Sequence, residues 1–155
     1  MHSLTFQRAT IKDCDTLCKI ELRCFQKDGF NKQQFRYLLQ KAKAITFIAY
    51  WDKKIAGYGM LLLPRHPKPA RLYSMAILPE YQGKGIASNL LKYLIKISRK
   101  HYYSEIRLEV SVTNQKAVNL YHAIGFVEIE FLPSYYQDKT DGVRMKYQLS
   151  NTQDQ

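Results

Sequence analysis

Hydrophobic positions along the chain recur with two periods, one typical of strands and one typical of helices. In residues 105–111, Ile106, Leu108 and Val110 alternate with polar residues, which predicts a half-buried strand. From Ile86 to about Lys100, apolar residues recur at helical spacing, which predicts an amphipathic helix. The same criteria predict strands at 4–9, 44–51, 54–64, 72–77, 126–132 and 143–149, and helices at 11–24, after Asn31, and at 114–124.

Turn and cap residues divide these segments. Thr10 is predicted to cap the 11–24 helix, Asp52 and Lys53 to form a hairpin turn, and Gly125 to end the 114–124 helix. Gly57 and Gly59 inside a strand indicate a bulge or a close backbone approach. The order of elements predicts an α/β (α+β) fold: one domain over residues 1–149, with a mixed sheet of about six to seven strands, helices on both faces, and a polar tail at 150–155. Strands 72–77 and 105–111 are predicted to be parallel neighbours.

Composition narrows the class of protein. The chain of 155 residues is 46% hydrophobic and has no apolar run long enough to span a membrane, and its N-terminus lacks the pattern of a secretory signal, so we expect a cytoplasmic protein. Cys14, Cys18 and Cys24 form no Cys-x-x-Cys pair, which favours buried, reduced thiols over metal or redox chemistry. No metal site is predicted.

The net charge of +11 indicates an anionic partner, such as a phosphorylated cofactor, RNA or an acidic protein. Lys92, Lys96 and Lys100 recur every fourth residue, with Arg99 beside them, and a solvated helix face is the simpler interpretation of this stripe. Because no zinc-finger spacing, RNA-binding aromatic signature or basic tail is present, nucleic-acid binding is the competing hypothesis rather than the main one.

The segment from Leu72 to Ala87 carries the clearest functional signal. An apolar strand is followed by Pro79, by the pair Gly83 and Gly85, and then directly by a helix. Glycines allow a close backbone approach, and a helix N-terminus attracts anions, so this unit predicts a phosphate or pyrophosphate site. It lacks the third glycine of a dinucleotide-binding fingerprint, and it also lacks the Lys-Ser/Thr pair that ends a nucleotide-binding P-loop. A tight turn into a surface helix is the alternative.

Two motifs resemble one family. The pattern Gln82-x-x-Gly85-x-Ala87 is similar to the Arg/Gln-x-x-Gly-x-Gly/Ala signature of the GNAT family of N-acetyltransferases, and residues 107–126 resemble that family's second conserved block. The resemblance implies acetyl-coenzyme A as cosubstrate, with its pantetheine arm lying like an extra strand where two neighbouring strands splay apart. The implied cofactor residues are Ala76, Ile77, Leu78, Gln82, Gly83, Lys84, Gly85, Ile86, Ala87 and Asn114.

Acetyl transfer requires a neutral amine, a polarised carbonyl and a donor for the departing thiolate. Tyr121 is the candidate acid, and Asn114, seven residues earlier, lies on the same helix face. Glu109 is the candidate base, because it resembles the glutamate in the Leu-Glu-Val segment of the RimI group of protein N-terminal acetyltransferases. Arg107 lies on the same strand face and could pair with Glu109 instead.

The acceptor is the least determined part of the prediction. By resemblance, Tyr73, Ser74, Tyr135 and Tyr136 would line its channel, and Phe25, Phe30 and Tyr37 are candidates for its wall or for core packing. The chain departs from the RimI group at Ile77-Leu78-Pro79, which lacks the usual acidic residue, and lacks the usual Pro-Trp element after Gln26. We expect a protein N-terminal amine as acceptor, with a lysine side chain, a small amine, or an RNA- or ribosome-binding role with a vestigial cofactor site as alternatives. Ribosome association, and a monomer or a homodimer, stay open.

Overall fold

The computed structural model describes residues 1–25, 32–40 and 43–149. Its strands form a seven-stranded mixed sheet in the order β1-β2-β3-β4-β5-β7-β6, which confirms the predicted fold class. The strands are β1 (Leu4–Arg8), β2 (Ala44–Trp51), β3 (Lys54–Leu62), β4 (Ala70–Ile77), β5 (Glu105–Ser111), β6 (Val127–Leu132) and β7 (Gly142–Gln148). The helices are α1 (Cys14–Phe25), α2 (Lys32–Gln40), α3 (Ile86–Lys100) and α4 (Gln115–Ile124).

Contacts divide the chain into two compact units, one of Met1–Leu63 with Leu72–Leu94 and one of Pro64–Arg71 with Ile95–Gln155. In the first unit, β1 pairs antiparallel with β2, and β2 with β3. The register between β2 and β3 shifts at Ala49 and Tyr50, opposite Gly57. A side chain at Gly57 would meet the Ala76 carbonyl oxygen at 2.3 Å, so the predicted bulge and close approach are both present.

The core of the first unit lies where α1 and α2 cover β3. Leu17, Ile20 and Phe35 are buried there, and the Phe35 ring packs edge-on against Tyr58 with 5.8 Å between ring centroids. Cys14 is buried as expected, whereas Cys18 and Cys24 are only half-buried against this core, and all three thiols are free.

The start of the first helical segment differs from the prediction of one helix over 11–24. Residues 11–13 form a 3-10 turn and α1 begins at Cys14, because Thr10 and Asp13 close a capping box around that turn. The Thr10 side chain accepts from the Lys12 N–H, and the Asp13 carboxylate accepts from the Thr10 N–H at 2.8 Å. The predicted turn at Gln26–Phe30, the Asn31 cap and the 150–155 tail lie outside the described residues.

In the second unit, the first two residues of β4 pair in parallel with β5, at Ala70 with Ile106 and Arg71 with Arg107, which confirms the predicted neighbours. β5 and β6 both pair antiparallel with β7. The alternation predicted for β5 is confirmed, since Ile106, Leu108 and Val110 are all buried.

The two ends of α4 are formed as the sequence predicts. Asn114 is its N-cap, and Gly125 ends it with a positive φ of 126°. The N–H groups of Gly125 and Phe126 both donate to the Tyr121 carbonyl, which closes the last turn of the helix.

The basic stripe on α3 is exposed, as its spacing predicts: Lys92, Lys96, Arg99 and Lys100 all face solvent. The opposite positions, including Leu90, Leu91 and Leu94, are buried. Within the described residues, no helix is both long and apolar enough to cross a membrane.

Candidate active site

The predicted anion loop is held in shape by its own side chains. Gly83 and Gly85 have φ angles of 81° and 78°, values that other residues adopt only with strain. The Gln82 side-chain amide donates to the Ile77 carbonyl at 3.1 Å, and the Asn89 amide donates to the Gly85 carbonyl at 2.9 Å. These two bonds fix the two ends of the loop. At its second end, the first N–H groups of α3 have no partner within the helix.

Lys84 brings a cation to this loop. Its ammonium nitrogen lies 5.8 Å from the ring centroid of Trp51, at the end of β2, and the other partner of that ring is His2, stacked at 4.8 Å. Lys84 is exposed, as are Gln82, Gly83 and Gly85, whereas Ile86 is buried and Ala87 is half-buried. The loop therefore presents exposed backbone groups and the positive charge of Lys84 at a single place.

The strand that enters the loop offers one edge for the pantetheine arm. The Leu78 N–H donates to Ala56 at 2.8 Å, and the Ala76 carbonyl lies against Gly57, so the peptide groups of both residues face β3. Peptide groups alternate in direction along a strand, so the N–H of Ile77 faces the edge of β4 that lies away from β3. Among the three predicted backbone contacts, Ile77 has the geometry for an added strand.

A buried carboxylate that the sequence analysis missed lies on α1. Glu21 is 3% exposed, and its Oε1 accepts hydrogen bonds from the hydroxyls of Tyr58 on β3 and Ser74 on β4. The two hydroxyl oxygens are 2.7 Å apart. The pattern of an amphipathic helix predicts that a glutamate is exposed, so the helical pattern alone does not predict this buried cluster.

The other acceptor candidates of the first unit are exposed. Tyr73, next to Ser74, is 41% exposed, and Phe25 and Tyr37 are also exposed, so none of these three is a core residue. Phe30 lies outside the described residues. The structure brings Ser74 together with Glu21, and its neighbour Tyr73 points to the other face of the strand.

Tyr121 on α4 is 9% exposed and packs against Phe126 with ring centroids 5.7 Å apart. Burial raises the pKa of its phenol to about 12, with a smaller contribution from Tyr136. The hydroxyl is therefore protonated at every pH near neutrality. Asn114, by contrast, is exposed, and its Oδ1 accepts from the Ala117 N–H at 3.2 Å, which is the ordinary role of a helix cap.

Glu109 on β5 is held by two arginines. Its Oε1 accepts from Arg71 on β4, and its Oε2 accepts from the Arg144 Nε on β7 at 2.8 Å, while Arg144 also pairs with Glu130. The expected alternative partner, Arg107, pairs with Glu105 instead at 2.6 Å. Arg144 lies directly opposite Glu109 in the ladder, where side chains are closer than residues two apart on one strand.

Tyr135 and Tyr136 lie between β6 and β7. Tyr135 is 46% exposed and packs edge-on against the half-buried Tyr136, with ring centroids 5.0 Å apart. A Cβ atom at Gly142 would lie 3.2 Å from the Tyr136 ring, so a larger residue there would require that ring to shift by a few tenths of an ångström. The Asp141 carboxylate accepts from the Ser134 N–H at 2.8 Å and closes the loop. Burial raises the pKa of Tyr136 to about 12.

In the part of the chain that the structure describes, no three His, Cys, Asp or Glu side chains cluster as metal ligands.

The fold and these motifs match a known family. The model of the acetyltransferase (GNAT) family matches residues 14–126, which is more than half of the chain. The chain therefore belongs to the GNAT family and is an acetyl-coenzyme A-dependent N-acetyltransferase.

The proteins to which this chain is similar include N-alpha-acetyltransferases. The chain is 31% identical to the N-alpha-acetyltransferase of Sulfurisphaera tokodaii over 90% of its own length and 89% of that protein. It is also 31% identical to the N-alpha-acetyltransferase of Saccharolobus solfataricus, over 93% and 92% of the two chains. Among solved structures, the ribosomal-protein-S18-alanine N-acetyltransferase from Escherichia coli superposes with a TM-score of 0.87 at 25% identity, covering 97% of this chain and 96% of that one.

Proposed function

We propose that this enzyme transfers the acetyl group of acetyl-coenzyme A to the α-amine of a protein N-terminus. The similarity to N-alpha-acetyltransferases over about nine tenths of both chains carries this proposal. Chemistry supports it, because a peptide N-terminus has a pKa of about 8, more than two units below that of lysine, and its proton is cheaper to remove by about 3 kcal/mol.

Each part of the site has a task in that reaction. The loop from Gln82 to Ala87 and Lys84 hold the pyrophosphate, and the β4 edge at Ile77 holds the pantetheine arm. The neutral amine attacks the thioester carbonyl, and the C–S bond breaks to release the thiolate of coenzyme A. Tyr121 donates a hydrogen bond to that sulfur. The exposed ring of Tyr73, next to Ser74, supplies a wall for a peptide.

Short peptides test the acceptor directly. We expect acetylation of peptides with a free N-terminus and loss of the reaction when the N-terminus is blocked by formylation, with the same internal lysine present in both. Mass spectrometry of the products after incubation with acetyl-coenzyme A measures this. Spermidine and free alanine serve as small-amine controls. Modification of lysine in the blocked peptide, or of the small amines alone, would contradict the proposal.

The role of base predicted for Glu109 stays a prediction, and its two arginine partners favour a structural role. In Glu109→Gln, an amide N–H would face a guanidinium, so we expect a loss of stability of about 1–3 kcal/mol, reduced from a fully buried pair because both arginines are partly exposed. Thermal unfolding should show this as a Tm lower by several degrees.

The pH profile of turnover separates the two roles of Glu109. With a structural role, the acidic limb of the profile keeps its position in Glu109→Gln, whereas loss of that limb identifies Glu109 as the base. Arg144→Met is the matched control, since it breaks the same cluster but keeps Glu109 as a carboxylate. Cytoplasmic location, ribosome association and oligomeric state stay predictions.

A further inference from the structure

The Glu21 cluster is costly to bury and has no part in the reaction as described so far. A carboxylate that is 3% exposed loses most of its hydration, and such a group persists where hydrogen bonds or function compensate. Tyr58 beside it is 0% exposed, whereas Ser74 is half-buried. Among the three side chains, Ser74 is therefore the one that reaches the surface, and it leads to the buried charge.

The positions of the two hydroxyl protons show how the three groups are hydrogen-bonded to one another. The Tyr58 hydroxyl has one proton, and it goes to Glu21 Oε1. The Ser74 proton then goes either directly to Oε1, at 3.0 Å, or to the Tyr58 oxygen, at 2.7 Å. In both arrangements Ser74 is a donor toward Glu21, and a lone pair of its oxygen is left to accept a proton from outside the cluster.

The Tyr58 and Ser74 hydroxyls differ in charge from the donors at Glu109. Both oxygens of Glu109 accept from guanidinium cations, which repel an incoming ammonium. The two hydroxyls are neutral and do not repel an ammonium, and the Ser74 oxygen lies 3.0 Å from the Glu21 carboxylate oxygen. Ser74 lies on β4 three residues before Ile77, on the strand proposed to hold the pantetheine arm.

We propose that Ser74, backed by the buried charge of Glu21 and the hydroxyl of Tyr58, binds the ammonium group of the acceptor and conducts its proton to Glu21. The proposal rests on the proposed function, and it names the residues that take the amine as a cation. Ser74 is the residue that touches the substrate, and Glu21 and Tyr58 are positioning residues that act through it.

The proton step balances within the cluster. The ammonium N–H bond breaks and its proton goes to Ser74 Oγ, while the Ser74 proton goes to Glu21, directly or through Tyr58. The carboxylate becomes a neutral carboxyl group, and the amine becomes neutral and attacks the thioester. As the C–S bond breaks, the nitrogen loses a second proton, which neutralises the thiolate. The first proton then leaves Glu21 outward along the same path.

Other titratable groups near Glu21 do not change charge in the relevant range. Burial, and then the Glu21 charge, raise the pKa of both Tyr58 and Cys24 above their ordinary values, so both stay protonated at neutral pH. Arg23 on the same helix pairs with Glu80 at 2.8 Å, and α2 contributes the apolar ring of Phe35. A change of rate with pH near neutrality therefore does not come from Tyr58 or Cys24.

The test is the pH dependence of kcat/KM for Glu21→Gln on a peptide with a free N-terminus. At pH 7 we expect a loss of about 100-fold, typical of losing a proton acceptor. The wild-type enzyme accepts the ammonium form of the peptide, but the variant requires the neutral amine. The loss of kcat/KM in the variant should therefore shrink about tenfold per pH unit up to the amine pKa of about 8. The affinity for coenzyme A should be unchanged.

Ser74→Ala and Ser74→Thr provide a second, independent pair. The alanine variant should reproduce the deficit and its pH dependence, and the threonine variant, which restores a hydroxyl, should recover most of the activity. A deficit that is constant with pH, or variants within about threefold of wild type, would overturn the proposal. Failure of the proposed function is a separate result, because the wild-type enzyme would then acetylate no peptide N-terminus.

Discussion

Gly85→Glu should abolish measurable binding of coenzyme A, with an affinity loss of two to three orders of magnitude. Gly85 has a φ of 78° at the start of α3, where the first helical N–H groups point at the expected position of the pyrophosphate. A carboxylate about 4 Å from a phosphate costs up to about 4 kcal/mol at an effective dielectric constant of 20. Calorimetry with coenzyme A at two salt concentrations measures the loss.

Gly85→Gln is the matched control, because it has the same size and the same backbone strain of about 1–2 kcal/mol without the charge. We expect the Gln variant to bind about tenfold more weakly than wild type and the Glu variant to bind far more weakly still. Trp51 is the only tryptophan in the chain and lies against Lys84, so its fluorescence provides a second measurement of loop occupancy. Equal affinities of the Glu and Gln variants for coenzyme A would contradict the placement of the pyrophosphate at this loop.

The parts of the site that local sequence determines could be predicted. β2 and β5 begin and end at the predicted residues, because the pattern of apolar and polar side chains is a property of consecutive residues. The loop follows from two glycines before a helix, and the α4 termini follow from Asn114 and Gly125. The 3-10 turn at 11–13 was missed because it depends on a hydrogen bond between the two ends of a short segment.

The parts of the site that depend on pairing between distant residues could not be predicted. Glu109 lies in a strand whose pattern gives its face but not its neighbours, and its two arginines come from residues 38 and 35 positions away in sequence. Arg107, which is nearest in sequence, is the wrong partner. The partners of Glu21 could not be predicted for the same reason, since Tyr58 and Ser74 come from two strands, β3 and β4, that are distant from α1 in sequence.

Tyr121→Phe should lower turnover about 10- to 100-fold while leaving coenzyme A affinity unchanged. Phenylalanine keeps the ring that packs on Phe126, so the fold should be preserved. The pKa of Tyr121, raised to about 12 by burial, exceeds that of a thiol by about 3.5 units, equivalent to about 5 kcal/mol. Complete transfer of its proton to the thiolate is therefore uphill, and its main contribution is a hydrogen bond to the sulfur.

That interpretation fixes the pH dependence of the effect. A phenol with a pKa raised to about 12 keeps its proton as pH rises through 10, the ordinary value, and loses it only as pH approaches 12. The ratio of wild-type to Tyr121→Phe turnover should thus stay constant from about pH 6 to 10. Tyr136→Phe is the control, because the pKa of that half-buried phenol is also raised to about 12 but the phenol is not assigned to the thiolate. A ratio near one assigns the hydrogen bond at the sulfur to another group, and a ratio that falls from pH 9 upward would indicate an ordinary, solvated phenol.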